Sequence, residues 1–158
     1  MVFNSKGRYM LRLSKLTDYA TVILSFMAKD KTRVRAAIEI AAATGIALPT
    51  VSKIMKSLAN AKVLMSTRGA KGGYTLAREP EKITVAAIIG ALEGPIALTE
   101  CSISLQTCEQ AAGCGIRTNW HVINQTIHNA LESVTLADLI RPAAVSEEIM
   151  VPVASLYR

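Results

Sequence analysis

The sequence predicts a mainly α-helical fold with a small β-wing, a winged helix-turn-helix domain followed by a long C-terminal helix suited to dimerisation. Three observations carry this reading. Two short helical patterns are separated by a tight turn at Gly45. Two strand-like runs then flank Gly69-Ala-Lys-Gly-Gly73. Finally, apolar residues recur at three-four spacing from Trp120 to Val134, a pattern that packs against another helix.

Residues 1–9 form a basic lead without periodicity, and Met10 is a second possible start, so 1–9 read as an arm. Ser14 can cap a helix that buries Tyr19, Ala20, Ile23, Leu24 and Met27, with Asp18 in its first turn, where a carboxylate favours the helix dipole. The pattern breaks at 29–33. A second helix spans about Ala36 to Thr44 and stops at Gly45. The third carries Pro49 near its first turn and buries Val51, Ile54, Met55 and Leu58. Its polar face offers Thr50, Ser52, Lys53, Lys56 and Ser57, types that suit base edges and phosphates. An ordinary helical hairpin with a solvated face has the same pattern; the hairpin that follows favours the winged helix.

The strand-like runs are Val63–Arg68 and Tyr74–Ala77. Gly72-Gly73 is expected to supply the positive-φ turn, and Arg68 and Lys71 bring cations to the tip. The glycine-rich loop lacks a Gly-Lys-Ser/Thr ending and leads into a strand, which argues against nucleotide binding. Thr84 can cap a helix through Ala91 or Leu92 that ends at Gly94-Pro95. A loop over 96–116 precedes the long helix, and Thr135 can cap a last short helix with Leu136, Leu139 and Ile140. The predicted organisation is an arm at 1–9, a winged helix-turn-helix at 10–82, a loop and dimerisation helices at 83–141, and a tail at 142–158.

Charge divides the 158 residues unevenly. Residues 1–78 hold 14 Lys/Arg against 3 Asp/Glu, residues 79–158 hold 4 against 9, and the net charge is +6. A basic half joined to an acidic one suggests that the first half meets a polyanion, although a basic half can also be plain solvated surface. No apolar run reaches the roughly 18 residues that span a bilayer. With no apolar leader and cleavage site at the N-terminus, a cytoplasmic protein without a membrane partner is expected.

All three cysteines, Cys101, Cys108 and Cys114, fall within one 14-residue stretch. An odd number cannot pair off within one chain, and reducing surroundings would keep the thiols available. The spacing suits a soft metal or an iron–sulfur cluster. Structural zinc held by three cysteines and a carboxylate is an alternative, though short zinc loops favour closer spacing. No Cys–His constellation calls for an enzyme.

In this order, helix-turn-helix, wing, cysteine loop and long helix resemble the IscR/NsrR-type winged-helix iron–sulfur transcription regulators. The likeness covers about Leu11 to Arg141. It is carried by Leu13-Ser-Lys-Leu-Thr-Asp-Tyr-Ala20, Pro49-Thr-Val-Ser-Lys53, Arg68-Gly-Ala-Lys-Gly-Gly-Tyr74 and the cysteines before Asn119-Trp120. Glu93-Gly-Pro95 and Thr99-Glu-Cys101 make it most similar to regulators of the SUF iron–sulfur assembly system. The resemblance implies a homodimeric repressor on a palindromic double-stranded DNA operator. By that resemblance Pro49, Thr50, Ser52 and Lys53 would enter the major groove and Arg68 the minor groove; apart from it, Lys56 is expected on a phosphate and Lys71 as a DNA-binding cation at the wing tip. The resemblance further implies an iron–sulfur cluster, 2Fe–2S or 4Fe–4S, on Cys101, Cys108 and Cys114. Where well-known members place a histidine three residues after the third cysteine, this chain has Arg117, which stays protonated and cannot ligate. In nitrite-sensitive members an aspartate on the first helix of the other subunit completes the site, and Asp18 matches it; a capping role alone would also explain Asp18. His121 and His128 match no ligand position and are expected near a dimer seam. A nitric-oxide or redox sensor using the same cluster is a second reading within the family.

Overall fold

The computed structural model describes residues 13–69, 71–103 and 114–141. The expected arm and tail, Met10 and Cys108 lie outside the described residues. Helices α1 (Lys15–Ala28), α2 (Ala37–Thr44) and α3 (Leu48–Asn60) are followed by an antiparallel pair, β1 (Leu64–Thr67) and β2 (Gly73–Leu76). A 3-10 turn at Pro80–Lys82 leads to α4 (Val85–Glu93), the single-turn α5 (Glu100–Ile103), α6 (Arg117–Ser133) and α7 (Leu136–Ile140). This is the winged-helix order, mainly helical with one two-stranded wing.

Local chemistry sets most boundaries. Ser14 caps α1 by accepting from the Thr17 N–H, and Thr84 caps α4 by accepting from Ala87 N–H. At α7, Thr135 and Asp138 cap reciprocally, Thr135 Oγ1 accepting from the Asp138 N–H and Asp138 Oδ2 from the Thr135 N–H. Gly45 ends α2 at φ 72°, the left-handed conformation that favours glycine. Helix α2 is less well started. Ala36 offers no acceptor at the N-cap, so only the returning half of the cap exists, in which the Ala36 N–H donates to Glu39 Oε2 at 2.9 Å.

The core gathers Ile23, Leu24 and Met27 of α1, Ile40 of α2, and Val51, Ile54, Met55 and Leu58 of α3 with Leu64 and Leu76 of the wing. The stripe expected on α3 is the one buried; on α1, Tyr19 is only half-buried and Thr17 is buried in addition. Ile83 and Ile88 around α4 and Leu136 of α7 join the same core. A backbone pairing between Thr84 and Thr135 ties α7 down, with Val85 N–H donating to Val134 and Leu136 N–H to Ile83. Leu139 and Ile140 lie on α7 as expected and are exposed.

The wing turns differently from expectation. Positive φ falls at Gly69 (φ 114°), not at Gly72 or Gly73. Those two glycines are required by crowding: a Cβ on Gly72 would lie 2.4 Å from the Thr67 carbonyl oxygen, and one on Gly73 2.5 Å from that of Arg35. Arg35 pairs through its backbone with Tyr74, giving the wing the start of a third strand. The residue is 8% exposed and its guanidinium stacks over the Phe26 ring at 4.4 Å, with Nε lacking a hydrogen-bond partner among the described residues. One of the basic residues of the first half is therefore a core group rather than a surface charge.

Candidate functional site

The α3 core stripe fixes what its other side presents. With Val51, Ile54, Met55 and Leu58 buried, positions 49, 52, 53 and 56 share the outer face at helical spacing. Pro49, Ser52, Lys53 and Lys56 are all exposed there, while Thr50 and Ser57, expected to be exposed, are half-buried at its edges. The helix has no acidic residue in its first turn and no side-chain cap at Ala47, so its N-terminal end repels no anion. Arg68 and Lys71 are exposed at the end of the wing hairpin. The arrangement is a cationic, hydrogen-bonding helix face with a separate cationic finger, suited to a groove and its flanking phosphates.

The other candidate residues lie on different elements. Cys101 sits on α5, so the expected loop contains a helical turn. Cys114 directly precedes the turn into α6; both are free thiols and half-buried. Thr99 Oγ1 lies 3.2 Å from Cys101 Sγ and 2.9 Å from Ser102 Oγ. The Asn124 side chain on α6 accepts from the Leu98 N–H at 3.0 Å and donates to the Ile96 carbonyl at 3.2 Å. The segment approaching Cys101 is thereby pinned to α6. Arg117 occupies the first position of α6, and His121 is exposed and His128 half-buried on that helix.

Asp18 is exposed on the first turn of α1, and among the described residues its carboxylate has no hydrogen-bond partner. It lines a surface hollow with Leu13, Ser14, Lys15, Thr17 and Thr21. The base of this helix is held from α4. Glu93 Oε1 accepts from the Ser14 N–H at 2.8 Å and from the Thr17 hydroxyl at 2.5 Å. These bonds, the Thr17 hydroxyl first, hold the Glu93 carboxyl below its ordinary range. Glu93, Thr99 and Asn124 were not among the expected site residues. The signal available for them was adjacency to the cysteine segment, and Asn124 lacked even that.

Among the described residues no three of His, Cys, Asp and Glu converge on one point; Cys108 is outside them. The donor set nevertheless fits a soft centre chemically, since two unpaired thiols bracket the third in sequence and all three can ligate as thiolates. Among the described residues no helix is long and apolar enough to cross a membrane.

Comparison with known proteins bears on both sets of residues. The family described as Rrf2, iron-dependent transcriptional regulator, matches residues 13–142. Protein rrf2 of Nitratidesulfovibrio vulgaris is 33% identical over 135 residues, covering 85% of this chain and 90% of that one. The HTH-type transcriptional regulator NsrR of Geobacillus kaustophilus is 30% identical over 139 residues, covering 85% and 92%. Among solved structures, CymR, the global cysteine regulator of B. subtilis, is similar at 32% identity with a TM-score of 0.60, covering 82% of this chain and 96% of that one.

Proposed function

Because the chain belongs to the Rrf2 family of transcriptional regulators, DNA-binding proteins and not enzymes, we propose that it is a cytoplasmic, homodimeric repressor that reads iron–sulfur status. The family description is iron-dependent, while one relative is a cysteine regulator, so the cofactor has to be argued from this chain's own donors. The observation that carries the reading is three thiols within 14 residues of sequence, with Cys101 and Cys114 free and half-buried and the residues just before Cys101 anchored to α6. Cys101, Cys108 and Cys114 would hold a 2Fe–2S or 4Fe–4S cluster, which supplies a centre that oxidants or nitric oxide can degrade. Arg117 cannot complete the ligand set, and Asp18 contributed by the second copy would.

Each subunit would set Pro49, Thr50, Ser52 and Lys53 in the major groove of one half of a palindromic operator. Arg68 would enter the minor groove, with Lys56 and Lys71 on phosphates. In this reading residues 10–82 form the DNA-binding part and 83–141 the sensing and dimerising part. Target genes of the SUF assembly type follow from the sequence likeness in Glu93-Gly-Pro95 and Thr99-Glu-Cys101.

The role of Asp18 follows from ligand chemistry. A carboxylate is a harder and weaker ligand than a thiolate, so a cluster held partly by Asp18 is more readily displaced. Because α1 packs with α3 in one core, ligation there would link cluster state to the placement of the recognition face.

The test is the visible absorption of anaerobically purified protein, read beside operator affinity. A brown protein whose Cys108→Ala variant is colourless supports the cluster; a colourless wild type that carries zinc overturns it. Asp18→Ala is expected to fold and dimerise, to lose its cluster faster in air, and to lose much of the affinity difference between loaded and cluster-free forms. Unchanged lifetime and affinity difference would leave Asp18 as a simple first-turn carboxylate.

A further inference from the structure

We propose that Thr99 is a positioning residue for the iron–sulfur site, donating its hydroxyl hydrogen to the Cys101 sulfur whenever that sulfur is a ligand. The inference rests on the cluster reading above and adds a residue to it.

Among the described residues Thr99 Oγ1 has two polar neighbours, Cys101 Sγ at 3.2 Å and Ser102 Oγ at 2.9 Å, but a hydroxyl carries a single proton. With Cys101 as a neutral thiol, S–H can donate to Thr99, and Thr99 can donate onward to Ser102. Ligation removes the thiol proton and leaves an acceptor only. The Thr99 O–H must then turn to the sulfur, and the Ser102 O–H turns to Thr99 Oγ1. The result is a directed chain, Ser102 O–H to Thr99 O–H to Cys101 sulfur, in which each bond polarises the next.

The geometry is held by groups that need no metal. Ser102 N–H donates to the Thr99 carbonyl at 3.0 Å, closing the turn that brings the two hydroxyls together. Asn124 clamps Ile96 and Leu98 immediately upstream. Thr99, Cys101 and Ser102 are all half-buried, so water competes only partly for these donors. Hydrogen bonds to cluster sulfurs stabilise the more negative, reduced state and strengthen the hold on the ligand, which makes them one of the means by which a protein sets a cluster's potential.

The experiment compares the reduction potential and the rate of chelator-driven cluster loss in Thr99→Val, Thr99→Ser and Ser102→Ala, using full-length protein loaded with iron and sulfide. Thr99→Val keeps the shape and removes the donor. It is expected to move the potential to more negative values and to speed cluster loss by about tenfold, the lower end of what losing a ligand's hydrogen-bond partner costs. Thr99→Ser retains the hydroxyl and should return both readings to near wild type. Ser102→Ala should shift the potential in the same direction by less, and it reads the same chain if Thr99→Val fails to fold. A wild-type potential in both Thr99→Val and Ser102→Ala overturns the role of Thr99 while leaving the cluster in place. A wild-type protein that takes up no cluster removes the reading on which it rests, and the inference with it.

Discussion

The body built from α1, α2, α3, the wing, α4 and α7 differs in kind from α6. The first has a sealed core, in which Ile23, Ile40, Ile54, Ile88 and Leu136 are all inaccessible to solvent. Helix α6 carries Trp120, Ile123, Ile127 and Leu131 at three-four spacing and at 17 residues is the longest helix among those described, yet none of its residues is buried. Trp120 remains 37% exposed, Ile123 45% and Val122 58%. A helix gains most of its stability from packing an apolar face, and α6 leaves much of its own uncovered in the single chain. That difference leaves the cysteine segment tied, through Asn124, to a helix whose apolar side chains remain largely open to solvent.

Truncation is the direct way to break the comparison. Ile88→Ala removes a buried side chain where α4 meets the helix-turn-helix, and should destabilise the chain by about 2–5 kcal/mol in urea titration. The matching change on α6, Ile123→Ala, should cost under about 0.5 kcal/mol in protein dilute enough to be monomeric, as for an exposed position. Sedimentation at higher concentration should then show Ile123→Ala weakening self-association. Equal losses of monomer stability from the two substitutions would mean that α6 is already packed within the single chain.

The recognition surface should respond on yet another axis. Arg68→Ala is expected to weaken operator binding by about 1–3 kcal/mol at fixed salt, the cost of a specific arginine contact, with no change in thermal stability. Lys56→Ala should weaken operator and random DNA alike and reduce the salt slope by about 1, as losing one phosphate contact does. Fluorescence anisotropy over a salt series separates them, and operator affinity unmoved by Arg68→Ala would remove the wing from the interface.

Legibility in the sequence follows the range of the forces involved. Ser14, Thr84, Thr135 and Gly45 act within a turn of their own position, so the helix starts and the stop of α2 could be read directly. The α3 stripe was equally plain, because four apolar residues at helical spacing leave one arrangement. What could not be read depends on residues distant in sequence. Gly72 and Gly73 looked like turn formers, but Thr67 and Arg35 carbonyls explain them, and Arg35 is 38 positions from Gly73. Arg35 counts toward a basic surface in the sequence, whereas in the fold its guanidinium lies over Phe26 and its backbone pairs with Tyr74. The cysteine pattern named candidate ligands by chemistry, whereas Asn124, which orients the approach to Cys101 from 26 residues away, carried no signal.

A smaller test concerns the weakest start within the well-packed body. Ala36→Ser would give α2 the side-chain acceptor it lacks while Glu39 keeps its bond to the residue 36 N–H. Stability should rise by about 1 kcal/mol, the usual worth of an N-cap hydroxyl, with self-association unchanged. No gain would mean that Glu39 and its ion pair with Arg33 already satisfy that end.

The finest probe lies at the junction between the two regions. Glu93 is the last residue of α4, directly before the segment that leads to Cys101, and it ties α1 by accepting from Ser14 and Thr17. Its carboxyl is held below the ordinary range chiefly by the Thr17 hydroxyl and then by the Ser14 N–H. A carboxyl depressed in the folded state adds stability above its ordinary titration range, and that contribution disappears as pH falls through the depressed value. Glu93→Gln keeps the shape without the charge. Near neutrality it should cost about 0.5–1 kcal/mol, discounted because the group is exposed to solvent. The gap between wild type and Glu93→Gln should narrow as pH is lowered through the acid range and close below it. A gap that stays constant across that range would mean that the bonds to Ser14 and Thr17 hold without the charge. The junction would then rest on shape alone.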